Sequence, residues 1–209
     1  MDNGNGGVFL LLALAGAALL YLTSQGEQDV ASFTTSDLLS GATGDILDMT
    51  NTNTAGDPQS NRAAFLQMIA LSECGAALLA ETDNGYNVVV GATASNPTTF
   101  SDYSTHPRIY VAAYNSTAAG RYQINWPTFQ TLERQTGLSD FSPATQDAMA
   151  LQLCANKGAL ADIDAGNIAA AIAKCAPVWA SLPGYTYGQH TNAQSTLLAW
   201  YQQAGGAIA

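Results

Sequence analysis

The sequence predicts an α+β fold: a mostly helical domain with a small β-sheet, preceded by a single N-terminal hydrophobic helix and a linker. Amphipathic runs bounded by capping residues recur from residue 61 onward, and short β-rich runs lie between them. Apolar residues make up 47% of the 209-residue chain, which is enough for one globular core with appendages. We therefore divide the chain into an anchor over residues 1–24, a tether over 25–60 and a domain over 61–209.

The first segment contains an uncharged apolar run, Val8–Leu22. As a helix this run would span about 22 Å at ~1.5 Å per residue, short of a hydrocarbon core of roughly 30 Å, and its flanking Gly, Thr and Ser residues bring it near the lower limit for spanning. A cleaved signal peptide normally begins with basic residues, whereas this chain has Asp2 at its start and no Lys or Arg before Arg62. A membrane anchor is therefore preferred over a signal peptide or a buried core helix.

The second segment, residues 25–60, is rich in Thr, Ser, Asn, Gly and Asp. A flexible chain of this length has a root-mean-square reach of roughly 33 Å, at ~5–6 Å × √n. We interpret it as a tether, and an ordered arm packed on a partner protein is the alternative.

Residues that begin or end helices divide the third segment into helical stretches. Ser60 or Asn61 can cap the first helix and Gly75 follows its end, while Pro and Gly mark the bounds of others. The predicted helices span Arg62–Glu73, Pro127 to about Gly137, Pro143 to about Lys157, Asn167–Cys175 and Asn192–Ala204. Two β-rich runs, Tyr86–Val90 and Arg108–Ala112, predict the small sheet.

Charge and cysteine content restrict the possible partners. The chain carries 6 Lys and Arg against 16 Asp and Glu, a formal net charge of −10, which repels nucleic acid and is compatible with a neutral glycan. No spacing among Cys74, Cys154, Cys175 and the histidines is typical of a zinc site, so we predict neither a metal nor a cofactor. Cys154 and Cys175 are interpreted as buried apolar side chains, with pairing in an oxidising compartment as the alternative.

Glu73 is an unusual carboxylate because it continues the apolar stripe of the first predicted helix, seven residues after Leu66 and four after Ile69. Burial and the negative end of the helix dipole both disfavour its charged form, so its pKa should be raised, as a general acid requires. The alternative is a structural carboxylate paired with Arg62, Arg108 or Arg121.

Ordered sequence blocks over residues 61–206 give the chain a recognisable pattern. They read AFLQMIALSE, GYNVVVG, FSDYSTHPR, AAGRYQ, GLSDFSPATQDAMALQL, KGALADID and VWASLPGYTYGQ. In order and spacing they resemble the endolysins of the bacteriophage lambda type. The resemblance implies a lysozyme-like fold and a muramidase that acts as a lytic transglycosylase on peptidoglycan glycan strands, with the glutamate of the SE pair, here Glu73, as the catalytic residue.

The chemistry implied by this resemblance needs one acid. Glu73 would protonate the oxygen of the β-1,4 bond between N-acetylmuramic acid and N-acetylglucosamine. The C6 hydroxyl of the muramic residue would then attack C1, Glu73 would accept its proton, and a 1,6-anhydro sugar would form without water. A hydrolytic lysozyme with Asp102 as a second carboxylate is the alternative.

Other residues in the blocks have side chains that suit a sugar cleft. The resemblance, together with their aromatic, amide and charged chemistry, predicts substrate contacts for Asp102, Tyr103, His106, Arg121, Tyr122, Gln123, Tyr187 and Gln189. Asp102 also suits a turn, and His106 could equally brace a loop.

The predicted anchor, which the lambda-type enzymes do not have, suggests a different deployment. We expect a lipid membrane to bind Val8–Leu22, other virion proteins to be further partners, and the protein to lie in the virion membrane or in the host inner membrane facing the periplasm. Cys74, the apolar run that follows it and Thr105 depart from the family pattern. They motivate a second hypothesis, a catalytically silent structural protein of the virion or membrane on a lysozyme-like scaffold.

Overall fold

The computed structural model describes residues 56–184 and 191–209. The predicted anchor over Val8–Leu22 and nearly all of the predicted tether lie outside the described residues, as do Tyr187 and Gln189. Helices dominate the described part. In chain order they are α1 (Pro58–Cys74), α2 (Ala76–Ala80), α3 (Trp126–Thr136), α4 (Pro143–Asn156), α5 (Leu160–Asp164), α6 (Ile168–Cys175) and α7 (Gln194–Gln203).

Helix α1 begins earlier than the sequence analysis predicted, at Pro58 rather than Arg62. Its N-cap is Asp57, whose Oδ2 accepts a hydrogen bond from the backbone N–H of Ser60 at 3.1 Å. Proline in the first turn costs the helix nothing, because the first amides of a helix have no partner within it. The pair Asp57–Pro58 is therefore the true start signal, and the first turn falls in the segment interpreted as a tether.

The caps of α3, α4 and α6 agree closely with the sequence prediction. Gly137 ends α3 in the left-handed conformation with φ 74°, and its N–H bonds to the carbonyl of Glu133. Ser142 caps α4 through the N–H of Thr145, with Pro143 directly after it, and α6 begins after Asn167. Capping residues act on their own helix end, which is why a local pattern locates them well.

The predicted sheet is reduced to isolated β-bridges within the described ranges. In the run Tyr86–Val90, Val88 pairs with Thr99 and Val89 with Ala119. The run Arg108–Ala112 forms one bridge, Val111 with Ser116, and then enters a 3₁₀ turn. Turns interrupt both runs before a ladder can extend, so the fold is mostly helical with little strand structure.

The core lies between α1 and the helices around it, and α1 packs mainly against α7 and α5. Its buried face includes Phe65, Met68 and Ile69, each with no exposed surface. Arg62 forms a two-pronged ion pair with Asp164 at the end of α5, at 2.6 and 2.7 Å. This packing fixes α1 along its length and thereby fixes what its last turn presents.

Candidate active site

Glu73 lies in the last turn of α1 on the buried face that also carries Phe65 and Ile69, as the helical spacing predicted. The residue is 7% exposed. The chain leaves the helix at Gly75, whose φ of 75° is favourable for glycine alone, and its N–H bonds to the carbonyl of Leu71. The sharp exit places Glu73 at a helix end beside the loops instead of in mid-helix.

Burial of its carboxyl group raises the pKa of Glu73 from 4.5 to about 7. The opposing influence is a hydrogen bond from Ser181, whose hydroxyl donates to Oε1 at 2.5 Å and favours the charged form. Desolvation outweighs this bond, so a substantial fraction of Glu73 keeps its proton at neutral pH. A carboxyl group in that state can donate a proton and afterwards accept one.

The arginines that the sequence offered as partners for Glu73 interact with other groups. Arg62 pairs with Asp164, and the guanidinium of Arg108 lies 3.7 Å from the ring centroid of Trp126. Arg121 donates to the backbone carbonyl of Asn84 and to the Gln67 amide oxygen. In the described part of the chain the carboxyl group of Glu73 is thus bound by a serine hydroxyl.

Ser181 belongs to a polar group that the sequence analysis did not identify. Ser72 donates to Ser181 at 2.7 Å, and Asn192 donates its side-chain amide to Ser72 at 2.9 Å. Ser72 and Ser181 lie in quoted blocks, but a serine in a sequence does not reveal whether it is buried. The signal was only that Ser72 falls beside Glu73 on the same helix turn.

The Gly120–Gln123 turn lies beside the helix end that carries Glu73. Arg121 and Tyr122 are 4% and 2% exposed, and the Tyr122 hydroxyl donates to Asp147 at 2.6 Å. A buried ring offers no face for sugar stacking, so Tyr122 braces the fold in this structure. The side-chain amide of Gln123 donates to the carbonyl of Gly120, which holds the turn closed.

Two contacts join this turn to the rest of the site. The Cys74 thiol lies 3.6 Å from the carbonyl oxygen of Arg121, directly after Glu73 in the chain. The indole N–H of Trp179 donates to the carbonyl of Tyr122 at 3.1 Å, two residues before Ser181. The turn therefore positions the helix end that carries Glu73 and the segment that carries Ser181.

Asp102 and His106 line an open cavity of about 630 Å³ whose walls also include Phe100, Thr105 and Arg108. Glu73 is not among its lining residues. Asp102 is exposed, and its Oδ1 accepts the backbone N–H of Ser104 at 2.8 Å, which lowers its pKa. This is the turn geometry that the sequence offered as one of two roles for Asp102.

His106 and Tyr103 are both held by hydrogen bonds to other protein groups. Nδ1 of His106 accepts the N–H of Arg108 at 3.1 Å, so Nε2 carries the proton and donates to the carbonyl of Ile124 at 2.8 Å. Burial lowers the pKa of His106 to about 4, so the ring is neutral at pH 7. His106 thus braces its loop, and the Tyr103 hydroxyl donates to Asp83 at 2.5 Å.

The apolar run after Glu73 forms α2, and its leucines turn inward. Leu78 and Leu79 are 5% and 6% exposed. A Cβ at Gly85 would lie 2.6 Å from Leu79, so the following loop packs closely on this helix. The apolar character of this run is thereby explained as core packing.

The cysteines are free, and Cys154 and Cys175 are buried, as the preferred interpretation predicted. Burial raises the pKa of the Cys74 thiol to about 12, so it is uncharged beside Glu73. In residues 56–184 and 191–209 no set of three or more His, Cys, Asp and Glu side chains is arranged to hold a metal ion.

Comparison with known proteins gives a consistent relationship. Residues 63–208 match the family model named Endolysin. The chain is 44% identical to the endolysin of Escherichia phage lambda and 42% identical to that of Escherichia phage P2, in each case over 71% of this chain and 94% or 95% of the relative. Bacteriophage lambda lysozyme solved with a chitohexasaccharide superposes with a TM-score of 0.65 at 43% identity, over 72% of this chain and 97% of that one.

The predicted membrane-anchored localisation is wrong. Seventy-one percent of this chain accounts for nearly the whole of both phage endolysins, and the match leaves the predicted anchor without a counterpart in them. None of the helices described in residues 56–184 and 191–209 combines the length and apolar character needed to cross a membrane. That assignment rested on the length and apolar composition of Val8–Leu22 and on the absence of Lys and Arg before Arg62. The matches give no support to the predicted membrane and virion partners.

The described helices have the lysozyme fold, with Glu73 buried at the end of α1. The sequence match covers nearly the full length of two phage enzymes. The chain therefore belongs to the endolysin family and is a peptidoglycan-cleaving enzyme.

Proposed function

We propose that the protein is a lytic transglycosylase in which Glu73 acts alone as acid and then as base on the bond between N-acetylmuramic acid and N-acetylglucosamine. The observation that carries this proposal is the state of Glu73: a buried carboxyl group at a helix end, with a pKa of about 7, that accepts a hydrogen bond from Ser181. A single group that must both give and take a proton works best when its pKa lies near the working pH.

The glycan substrate is supported by the lysozyme of bacteriophage lambda, which has been solved in complex with a chitohexasaccharide. The 43% identity over 97% of that chain supports the same class of ligand for this protein. The net charge of −10 is compatible with a neutral sugar backbone.

The proposed reaction has two proton transfers. Glu73 donates its proton to the glycosidic oxygen as the bond to C1 of the muramic residue breaks. The C6 hydroxyl of that residue attacks C1, and its proton passes to Glu73, which restores the acid. Because no water is consumed, the product is a 1,6-anhydro sugar, and the enzyme contributes orientation and a tuned acid.

The environment of Asp102 supports the one-acid version. A retaining or inverting hydrolase needs a second carboxylate held near the sugar ring opposite the acid. Asp102 is exposed, its pKa is lowered and one of its oxygens is used by the Ser104 backbone. Two other carboxylates, Asp83 and Asp147, accept hydrogen bonds from tyrosine hydroxyls.

Product analysis tests the proposal. The full-length protein is incubated with purified peptidoglycan, and the released muropeptides are separated and weighed by mass spectrometry. We expect products one water lighter than lysozyme products and without a reducing end. Reducing-end muropeptides would instead identify a hydrolase and overturn the one-acid mechanism.

Asp102→Asn is the matched variant for this experiment. The one-acid mechanism predicts that it changes the rate less than about threefold and leaves the anhydro product unchanged, because its carboxylate is not a reactant. A loss of about 100-fold or more, in the range of a catalytic acid or base, would favour the hydrolytic alternative.

A further inference from the structure

A continuous chain of hydrogen bonds ends on Glu73. The side-chain amide of Asn192 donates to Ser72 Oγ at 2.9 Å, Ser72 donates to Ser181 Oγ at 2.7 Å, and Ser181 donates to Glu73 Oε1 at 2.5 Å. Ser72 and Ser181 are 9% and 8% exposed, so water competes weakly for these bonds. The members come from three places: the last turn of α1, the turn after Trp179, and the residues that precede α7.

The direction of these hydrogen bonds is fixed by the number of donor hydrogens on each side chain. An amide nitrogen only donates, and each serine hydroxyl has one proton to give. Ser72 accepts a hydrogen bond from Asn192, so its own hydroxyl donates to Ser181. The hydroxyl of Ser181 in turn donates to Glu73. Hydrogen bonds aligned in this way polarise one another, so the final donor is strengthened by those before it.

Asn192 closes the arrangement through its backbone. Its N–H donates to the carbonyl of Ser181 at 2.9 Å, while its side chain donates to Ser72. Ser181 is therefore held on both sides, by Ser72 through its hydroxyl and by Asn192 through its backbone. Its hydroxyl has little freedom to turn away from Glu73.

The two oxygens of Glu73 are consequently unequal. Oε1 accepts from Ser181, so when the carboxyl group is neutral the proton resides on Oε2. Oε2 has no hydrogen-bond partner within residues 56–184 and 191–209, and Glu73 keeps 7% of its surface exposed. Oε2 is therefore the oxygen that can meet a glycosidic oxygen.

We propose that Ser181, itself held by Ser72 and Asn192, is a positioning residue that fixes the carboxyl group of Glu73 so that Oε2 presents the reacting proton. The inference rests on the proposed function in one respect, the identity of Glu73 as the acid. Ser181 does not touch the substrate in this account and acts through Glu73.

Few other titratable groups lie near this carboxyl group in the described ranges. Cys74 follows it in the chain and is uncharged at neutral pH because its pKa is about 12. Arg121 lies beyond Cys74, and its guanidinium donates to Gln67 and Asn84. Ser72 and Ser181, and Asn192 ahead of α7, carry no charge. Within those ranges, the effect of Ser181 on the pKa of Glu73 can thus be measured without a competing titration.

The experiment is a direct titration of Glu73 in the full-length protein. The chain has four glutamates, at positions 27, 73, 81 and 133, so carboxyl ¹³C labelling of glutamate gives a simple NMR spectrum. Glu73→Gln assigns the resonance by its disappearance. Ser181→Ala removes the donor, Ser181→Thr retains a hydroxyl, and Ser195→Ala is the control, an exposed serine on α7.

We expect Ser181→Ala to raise the pKa of Glu73 by about one pH unit above that of the wild type, since a hydrogen bond to the charged form is lost. Ser181→Thr should restore most of the wild-type value, and Ser195→Ala should match the wild type. Ser72→Ala should give a smaller rise, because Ser181 keeps its bond to Glu73 but loses its own donor.

Kinetics give the second measurement. Ser181→Ala should lower kcat about tenfold with little change in KM, because the orientation of the acid matters in the transition state and not in binding. The alkaline limb of the pH profile of kcat/KM should move to higher pH, because the pKa of Glu73 is raised.

An unchanged pKa of Glu73 in folded Ser181→Ala, or an equal shift in Ser195→Ala, would overturn the proposal. If Ser181→Ala fails to fold, the same titration of Ser72→Ala decides. An unchanged pKa of Glu73 in Ser72→Ala would then overturn the proposal. Failure of the proposed function is a separate outcome: Glu73→Gln would then retain activity, while the titration would still report whether Ser181 binds Glu73.

Discussion

At the scale of single residues, Glu73 combines two opposing requirements. Its place on the buried face of α1 removes it from water and raises its pKa, and the hydroxyl of Ser181 limits that rise. The first effect followed from helical spacing in the sequence. The second did not, because Ser181 is distant in the chain and only the folded structure places its hydroxyl on the carboxyl group.

The raised pKa of Glu73 makes stability depend on pH. Its pKa is about 7 in the folded state against 4.5 for an unperturbed glutamate, so the folded state binds the proton more tightly than the unfolded chain does. The stability from this proton is fully present below pH 4.5 and is lost as pH rises through about 7, and the total is roughly 3 kcal/mol.

Glu73→Gln should remove this dependence because the amide does not titrate. Urea unfolding at pH 5 and pH 8 measures the difference in free energy of unfolding between Glu73→Gln and the wild type. From pH 5 to pH 8 this difference should change by roughly 2–3 kcal/mol in favour of the variant. Glu133→Gln on α3 serves as the control. A wild-type and Glu73→Gln difference that stays constant with pH would contradict the raised pKa.

At the scale of elements, helices were far more predictable than strands. The residues that begin or end α3 and α4 act within their own turns, so Gly137 and Pro143 were located from local pattern alone. The β-rich runs have the expected composition, but pairing requires a distant partner in register. Val89 meets Ala119 across a loop, and Ile109 and Tyr110 are 41% and 59% exposed with no ladder to join.

The start of α1 was not located from local composition. The cap Asp57 lies in a polar run rich in Thr, Asn and Gly, which reads as a tether. Nothing in the local composition separates its last residues from the helix that follows, apart from the Asp–Pro pair itself.

The Gly120 position connects two elements near the site. Its φ is 76°, and a Cβ there would lie 2.1 Å from Oε1 of Gln146 on α4. That oxygen accepts the Arg121 N–H, while the Gln146 amide donates to the carbonyls of Tyr86 and Phe141. A side chain at position 120 must therefore displace a buried amide that serves several backbone groups.

Gly120→Ala should lower the free energy of unfolding by roughly 3–4 kcal/mol, from backbone strain and unpaired buried groups together. Gly137→Ala is the matched control: its φ is 74° but nothing lies within 4 Å of the added Cβ. It should cost only the strain of about 1 kcal/mol. Equal losses of stability in the two variants would mean that the Gln146 contacts contribute little.

At the scale of the whole molecule, the catalytic fold occupies the C-terminal part of the chain, and its ends are tied together. The N–H of Ala207 donates to Asn61 at 2.9 Å, and the Asn61 amide donates to the carbonyl of Asp164 at 3.1 Å. The start of α1, the end of α5 and the C-terminal residues are thus joined near one point. The matched family region, residues 63–208, lies within this arrangement.

We predict that a chain shortened to residues 56–209 retains the melting temperature of the catalytic domain and its peptidoglycan-cleaving activity, since the contacts described above lie within it. A chain that begins at Asn61 lacks Asp57 and the first turn of α1 and should be less stable by about 1–2 kcal/mol. Denaturant unfolding and turbidity clearing of cell walls measure both. Loss of activity in residues 56–209 would mean that earlier residues belong to the functional unit.

The central claim is that the carboxyl group of Glu73 performs the cleavage of peptidoglycan. The most direct measurement compares the release of muropeptides by wild type, Glu73→Gln and the control Glu133→Gln at equal protein concentration. Removal of a catalytic acid predicts a loss of at least about 100-fold in Glu73→Gln with its fold and melting temperature intact, and wild-type activity in Glu133→Gln. Cleavage by Glu73→Gln within a few-fold of the wild-type rate would contradict the account.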